Sequence, residues 1–280
     1  RRYATGLDER RGLYVPSRFD GPTRPLWVHA VSVGEVQSAW PLLRALKARA
    51  PSARAVLSTT TVTGQTMARQ LTAPYADDIL YYPWDVPKIV RRALSAVRPA
   101  AYAALETEVW PAMLRELAAR DIPTFLVNGR FSERAVRNFR RHPAFWRSLY
   151  GLFTRLLVRS PSDREALRAI AIPEERIVVT GDCKVDALVL RREGADLARA
   201  RAIVGEGGPV FLAGSTHGGE DEVVLGQVVM TDFARAQVLD RLLVYERRIE
   251  SSLYRTMREL RRERETRLVA KETSPSEGNL

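Results

Sequence analysis

The most informative stretch of the chain is Leu26-Trp27-Val28-His29-Ala30-Val31-Ser32-Val33-Gly34-Glu35. Its first part is rich in apolar and β-branched residues and follows a loop containing Pro and Gly, which predicts a buried strand. Ser32 suits an N-cap and Gly34 permits a tight turn or a close ligand approach, so we expect an amphipathic helix over 36–49. Glu35 then lies in the first turn of this helix, at the carboxyl end of a strand, where open α/β sheets bind ligands. A single Glu there is explained more simply as a partner of the helix dipole, so a function for it needs further support.

Outward from this stretch, short apolar and β-branched runs alternate with segments of helical periodicity. Strands that alternate with helices of about 10–15 residues are typical of a parallel sheet with right-handed crossovers. We therefore predict a doubly wound, Rossmann-like α/β domain over residues 25–185. Asp85 follows Pro83 and is expected to cap the helix after the third strand. The predicted strands are 26–31, 54–58, 79–82, 100–105, 124–127, 155–158 and 177–180.

The composition predicts a succession of segments along the chain. A polar, loop-like segment precedes the α/β domain, and a linker with the start of an incomplete second domain, including a short strand at 209–213, follows it. The last segment contains a Gly- and Pro-free stretch over 231–267 with apolar residues at helical spacing, which predicts a long helix with a coiled-coil-like seam for self-association. Residues 272–280 are expected to be disordered. The predicted limits are 1–24, 25–186, 187–226 and 227–280.

The charge balance favours polyanionic partners. The formal charge is +11, from 44 Lys and Arg against 33 Asp and Glu. This charge suits a phosphorylated substrate or an anionic membrane face. Without a DNA-reading motif, nucleic acid is not expected as a partner.

The one cysteine, Cys183, excludes an intramolecular disulfide and a cysteine-cluster metal site. The histidines lie far apart, and His29 is expected to be a packed or hydrogen-bonded core residue. No apolar run approaches the roughly 20 residues of a membrane span, so no transmembrane segment is expected in this chain.

Polar groups follow several of the predicted strands. Glu106 and Glu108 come directly after an apolar strand and before a helix that starts at Pro111. If Glu106 lies near Glu35 in one crevice, burial and like-charge repulsion raise the pKa of at least one carboxyl group, which favours proton transfer. An alternative stays open, for Glu108 in particular: one carboxylate caps the helix at Pro111 and the other forms an ion pair.

Separate motifs along the chain occur in the order and spacing of one family. They are Ser32-Val33-Gly34-Glu35, Tyr82-Pro83-Trp84-Asp85-Val86-Pro87, Glu106-Thr107-Glu108-Val109-Trp110-Pro111, Asn128-Gly129-Arg130-Phe131-Ser132, Thr180-Gly181-Asp182-Cys183-Lys184-Val185-Asp186 and Gly214-Ser215-Thr216-His217. With these motifs the chain resembles the 3-deoxy-D-manno-octulosonic acid (Kdo) transferases that add Kdo to lipid A precursors in Gram-negative-type bacteria. The resemblance implies a two-domain glycosyltransferase of the GT-B type, with an N-terminal acceptor domain and a C-terminal domain that binds CMP-Kdo.

The resemblance also implies roles for individual residues. Glu35 would be the general base that deprotonates the acceptor hydroxyl, while Glu106 and Lys184 would stabilise the transition state. No metal or cofactor is implied; the donor substrate is CMP-Kdo and the acceptor is a lipid A precursor. Such an enzyme would act peripherally at the cytoplasmic face of the inner membrane, on an anionic lipid surface. The residues expected to bind substrate are Ser32, Gly34, Glu108, Asn128 and Arg130.

The resemblance extends over about residues 3–225. The family's apolar N-terminal anchor and its later Pro-Arg-His-Pro motif, which helps to hold the cytidine nucleotide, have no counterpart here. We therefore expect an incomplete donor domain, and transfer by this chain alone stays open. One alternative is a non-catalytic α/β module whose basic helical tail dimerises or binds nucleic acid or a membrane surface. Another is a different sugar-nucleotide enzyme of the same architecture.

Overall fold

The structure, a computed structural model, describes residues 5–204. The chain divides into two compact units between Leu197 and Ala198, and the sheet belongs to the first. Several predicted features lie outside the described residues. They are the strand at 209–213, the motif at 214–217, the helix at 231–267 and the disordered end at 272–280.

The first unit is built on a seven-stranded sheet with the order β3-β2-β1-β4-β5-β6-β7. Every neighbouring pair of strands is parallel, which confirms the predicted doubly wound class. The order reverses between β1 and β4, so their carboxyl ends flank the switch point at which such sheets bind ligands. The strands are β1 (Leu26–His29), β2 (Ala55–Thr59), β3 (Asp78–Tyr81), β4 (Ala101–Leu105), β5 (Thr124–Gly129), β6 (Arg155–Val158) and β7 (Ile177–Val179).

Within the first unit, helices connect successive strands and flank the sheet, whereas the helix that begins at Leu197 belongs to the second unit from its second residue on. Short 3-10 turns at Pro16–Phe19 and Glu174–Arg176 precede β1 and β7. The helices are α1 (Leu7–Arg10), α2 (Val33–Arg49), α3 (Val62–Thr72), α4 (Pro87–Val97), α5 (Pro111–Ala118), α6 (Glu133–Arg141), α7 (Pro143–Tyr150), α8 (Pro161–Arg168), α9 (Cys183–Glu193) and α10 (Leu197–Val204).

The core lies on both faces of the sheet because successive strand residues point to opposite sides. Trp27 of β1 packs in one cluster with residues of α4 to α8, and the next residue, Val28, packs in another with α2, α3 and Cys183 of α9. Both side chains are fully buried. Helix α9 follows the last strand, yet it returns across the sheet to pack on α2. This return brings the start of α9 close to the switch point.

The N-terminal segment is more structured than its polar composition predicts. Its α1 helix and 3-10 turn contribute Tyr14 and Phe19 to the core. Arg10 is only 1% exposed; its guanidinium group donates to the Thr60 carbonyl oxygen at 2.7 Å and lies over the Tyr81 ring. The expectation of a loop missed these two short elements. Arg10 donates to the nearby Thr5 carbonyl oxygen at 3.0 Å, but the Thr60 carbonyl oxygen and the Tyr81 ring come from a distant part of the chain, so local sequence did not indicate its burial.

The predicted cap of α4 belongs to another helix. Helix α4 begins at Pro87 with Val86 as its N-cap residue, later than expected. The Asp85 carboxylate instead accepts hydrogen bonds from the backbone N–H groups of Ala112 and Met113, at 3.0 and 2.8 Å. Asp85 therefore satisfies free donors in the first turn of α5, which has no capping side chain of its own.

Candidate functional site

Glu35 lies where the chain leaves β1 and enters α2. Ser32 is the N-cap residue of α2, as predicted, but its hydroxyl donates to Glu35 Oε1 at 3.4 Å instead of accepting from the backbone. Glu35 Oε2 accepts from the backbone N–H of Val31 at 2.5 Å. The side chain thus folds back over the start of its own helix, in a variant of the capping box. This geometry fixes the carboxyl group at the switch point.

The Glu35 carboxyl group is half-buried. Burial raises its pKa from 4.5 to about 8, and the negative charges of Glu108 and then Glu106 add to this rise. The hydrogen bond from Val31 acts in the opposite direction because it stabilises the charged form. A carboxyl group with a pKa near neutral pH is suited to accept a proton and to release it.

Glu106 is the centre of an ion cluster across the switch point from Glu35. Its side chain is almost fully buried, and Oε1 lies 2.6 Å from Lys184 Nζ. Oε2 lies 3.6 Å from Nε of Arg130, whose side chain is exposed. The two cations provide the charge compensation that a buried carboxylate requires. Glu106 also has a positive φ of 58°, a backbone conformation that is uncommon outside glycine and is concentrated at functional sites.

Glu108 is a second half-buried carboxyl group on the same loop. Burial raises its pKa to about 7, and the charge of Glu106 adds to the rise. The alternative interpretation of this acidic pair is partly right. Glu106 does form ion pairs, but neither residue caps the helix at Pro111, because Asp85 takes that role.

Asn128 joins β5 to the start of α9. Its Nδ2 donates to Asp182 Oδ1 at 3.2 Å and to Ser38 Oγ at 3.4 Å, and its Oδ1 accepts from the backbone N–H of Cys183 at 3.0 Å. Asp182 in turn caps α9 by accepting from the N–H of Lys184 at 3.0 Å. Asn128 is 1% exposed. Its side chain is therefore engaged by the protein itself.

Sequence reasoning missed Ser38, Asp182 and Arg159 as members of this network. Ser38 is fully buried and lies 3.5 Å from Glu106 Oε1, while Arg159 contacts Asp182 Oδ2 at 3.2 Å. The position of Ser38 could have indicated that it belongs to the site, because a residue three after Glu35 lies on the same face of the helix. Asp182 is likewise a preferred N-cap residue type directly before a helix.

His29, at the end of β1, is a core residue, as expected. It is fully buried, stacks on Tyr82 with ring centroids 3.6 Å apart, and has Nδ1 3.2 Å from the Ser58 carbonyl oxygen. Burial lowers its pKa to about 3, against a smaller effect of the Ser58 hydrogen bond. The imidazole is therefore neutral at physiological pH.

The structure brings the predicted site residues to one edge of the sheet. Ser32, Gly34 and Glu35 follow β1, Glu106 and Glu108 follow β4, Asn128 and Arg130 lie at the end of β5, and Lys184 is in the first turn of α9. Across the crevice, a Cβ atom placed on Gly34 would lie 3.9 Å from Lys184 Nζ. Within residues 5–204, no group of three acidic, His or Cys side chains could hold a metal ion. No helix in that range is long and apolar enough to span a membrane.

The fold and the site together define a doubly wound α/β protein with an acid and base cluster at its switch point. Comparison with known proteins then identifies the family. Residues 5–187 match the family model described as 3-deoxy-D-manno-octulosonic-acid transferase (kdotransferase). The chain belongs to this family.

Relatives in this family cover most of the chain. A 3-deoxy-D-manno-octulosonic acid transferase from Haemophilus influenzae is 29% identical over 226 residues, or 80% of this chain and 52% of that protein. One from Bordetella pertussis is 30% identical over 226 residues, or 76% and 51%. The chain thus spans about half the length of these relatives. Among solved structures, UDP-GlcNAc 2-epimerase from Neisseria meningitidis matches with a TM-score of 0.49 and 13% identity, over 65% of this chain and 55% of that one.

Proposed function

We propose that this chain is the acceptor side of a GT-B glycosyltransferase that transfers Kdo from CMP-Kdo to a lipid A precursor. The observation that carries the proposal is the half-buried Glu35 carboxyl group, with a pKa of about 8, beside the ion cluster of Glu106, Lys184 and Arg130. Membership of the Kdo transferase family supports the choice of sugar and acceptor.

In the proposed reaction, Glu35 removes the proton from a hydroxyl group of the acceptor sugar. The hydroxyl oxygen forms the new bond to the anomeric carbon of Kdo as the bond from that carbon to the CMP phosphate oxygen breaks. The proton stays on Glu35 and the electron pair leaves with CMP. General bases of this kind contribute about 10²–10⁴-fold to a rate when their pKa lies near the working pH.

The cations beside Glu106 have a separate proposed role. Lys184 and Arg130 lie at the edge where the donor would meet the acceptor, and their charge would offset the negative charge that develops on the leaving phosphate. Glu106 holds Lys184 at 2.6 Å and so fixes the direction of its ammonium group. Ser32, Gly34 and Glu108 would shape the acceptor pocket around Glu35.

We also propose that the protein acts peripherally on an anionic membrane, at the cytoplasmic face of the inner membrane. Helices α6 and α7, which follow Arg130 in the chain, support this proposal. They carry exposed arginines and Phe145, which is 53% exposed, and cationic surfaces with exposed aromatic residues suit anionic lipid headgroups. The exposed arginines are Arg134, Arg137, Arg140, Arg141 and Arg147.

The test combines acceptor binding with transfer. The purified chain is incubated with CMP-Kdo and a lipid A precursor, and both precursor affinity and product mass are measured for the parent and for Glu35→Gln. We expect Glu35→Gln to bind the precursor as the parent does but to transfer about 10²–10⁴-fold more slowly. Glu175→Gln is the matched control, because Glu175 is exposed and lies before β7, at the opposite edge of the sheet.

Each outcome bears on a different part of the proposal. Equal transfer rates for the parent and Glu35→Gln would refute the general-base role. A parent that binds the precursor no better than it binds phosphatidylglycerol would refute the acceptor role. A parent that binds the precursor without transferring Kdo supports the acceptor role.

A further inference from the structure

We propose that Asn128 is a positioning residue that holds Lys184 against Glu106, and that it does not contact the acceptor sugar. The expected effect on transfer rests on the proposed function. The placement of Lys184 rests on geometry alone, so the two can be tested separately. The juxtaposition that carries the inference is a buried amide that links α2, β5 and the first turn of α9.

The hydrogen-bonding capacity of the Asn128 amide is already used within the protein. Its two N–H hydrogens face one acceptor each, Ser38 Oγ and Asp182 Oδ1, and its carbonyl oxygen accepts from Cys183. A primary amide has only two N–H donors. Because the side chain is also 1% exposed, Asn128 has no free donor to offer a substrate.

The groups that Asn128 binds are those that set the first turn of α9. Cys183 provides a backbone N–H at the start of the helix, and Asp182 is its N-cap residue. Asp182 also accepts from the backbone N–H of Lys184. Fixing these two residues fixes the backbone from which the Lys184 side chain extends to Glu106 Oε1, 2.6 Å away.

The residue type and its backbone conformation agree with this role. Asn128 has a positive φ of 58°, and asparagine is among the residues that tolerate this left-handed region best. Glycine would also tolerate the conformation but has no side chain to bind α9. Aspartate would keep the acceptor for the Cys183 N–H, yet it would lose both donors and place a second carboxylate against Asp182.

Chemical acetylation of lysine measures the placement of Lys184 directly, because an ammonium group held in an ion pair reacts more slowly than a free one. The full chain is treated with acetic anhydride, and the rate at each lysine is followed by mass spectrometry. In Asn128→Gly and Asn128→Asp we expect the rate at Lys184 to rise about two- to fivefold, as for the loss of a partly exposed ion pair. Lys47 is on α2, as Glu35 is, and forms an ion pair with Asp77. Its acetylation rate should not change.

Three further variants calibrate the measurement. Glu106→Gln removes the partner of Lys184 directly and sets the maximum rate. Ser38→Ala removes one bond to Asn128 and should give a smaller rise, which provides a milder variant if those at residue 128 do not fold. Asn138→Asp makes the same chemical change at an exposed position on α6 and should leave Lys184 at the parent rate.

The inference is overturned if Lys184 reacts at the parent rate in a folded Asn128→Gly variant. It is also overturned if the rate at Lys47 rises in parallel, since that would indicate a general loss of stability. Because no donor or acceptor is present, a selective rise at Lys184 supports the inference even if the chain fails to transfer Kdo. Failure of the proposed function would instead appear in the binding and transfer assays alone.

Discussion

The replacement Glu35→Gln should change how the stability of this protein depends on pH. Glutamine has the same shape and keeps an oxygen that can accept from the Val31 N–H, but it cannot ionise. In the parent, the folded state holds the Glu35 proton more tightly than the unfolded state, because burial and two neighbouring carboxylates raise the pKa from 4.5 to about 8. Ionising Glu35 therefore costs more in the folded protein than in the unfolded chain.

The sign and size of the effect follow from this difference. Between pH 4.5 and about 8 the folded state binds more protons than the unfolded state, so the free energy of unfolding falls as the pH rises through that range. The full pKa difference corresponds to an upper limit of about 5 kcal/mol. Solvent reaches part of the side chain and screens the neighbouring charges, so we expect about 1–3 kcal/mol. Glu35→Gln should not show this loss.

Urea denaturation of the parent and Glu35→Gln at several values from about pH 5 to pH 9 measures the difference. We expect the variant to gain about 1–3 kcal/mol over the parent across this range. Carbon-13 NMR of the glutamate side chains gives the Glu35 pKa itself. In Glu108→Gln, the Glu35 pKa should be lower than in the parent, because Glu108 is the larger of the two charge contributions.

Glu175→Gln serves as the control in this experiment as well, since it removes an exposed carboxylate far from the switch point. Parallel stability curves for the parent and Glu35→Gln would refute the reasoning. So would an NMR titration of Glu35 with its midpoint near the ordinary value of 4.5.

The remaining predictions concern stability and the membrane surface. Asp85→Ala should lower the free energy of unfolding by about 1–2 kcal/mol, because two N–H groups of α5 lose their acceptor. Asp85→Asn should lower it by less. An unchanged urea midpoint in Asp85→Ala would contradict this role for Asp85. The full chain should sediment with vesicles that contain phosphatidylglycerol, and replacing three exposed arginines of α6 by Gln should weaken binding by roughly 100-fold, at about 1 kcal/mol per arginine. An equal loss on replacing three exposed arginines of other helices would show general charge attraction instead. The replaced arginines of α6 are Arg134, Arg137 and Arg141, and those of the other helices are Arg49, Arg115 and Arg191.

The strands were largely predictable because parallel strands buried on both faces appear as short apolar runs between turn residues. The prediction for 155–158 coincides with β6, and the prediction for 26–31 differs from β1 only at its end. The start of α4 was not predictable in the same way. An aspartate after a proline indicates a local cap, but the partners of Asp85 lie 27 and 28 residues later in the chain.

The structure of the polar N-terminal segment also depends on residues that are distant in the chain. Arg10 is a charged residue in a polar stretch, and local sequence predicts that it is exposed. It is buried because the Thr60 carbonyl oxygen and the Tyr81 ring receive its guanidinium group. These partners become neighbours only once the sheet has formed.

For the candidate site, the amino-acid sequence determined which side chains lie at the carboxyl edge of the sheet, because all parallel strands end on that edge. It did not determine which of them meet. That depends on the strand order, which places β1 beside β4 and so sets Glu35 near Glu106. It also depends on the return of α9 from the far strand to α2, which brings Lys184 to Glu106. The raised pKa of Glu35 arises from burial and charge at this meeting point, and both are created by contacts between residues far apart in the chain.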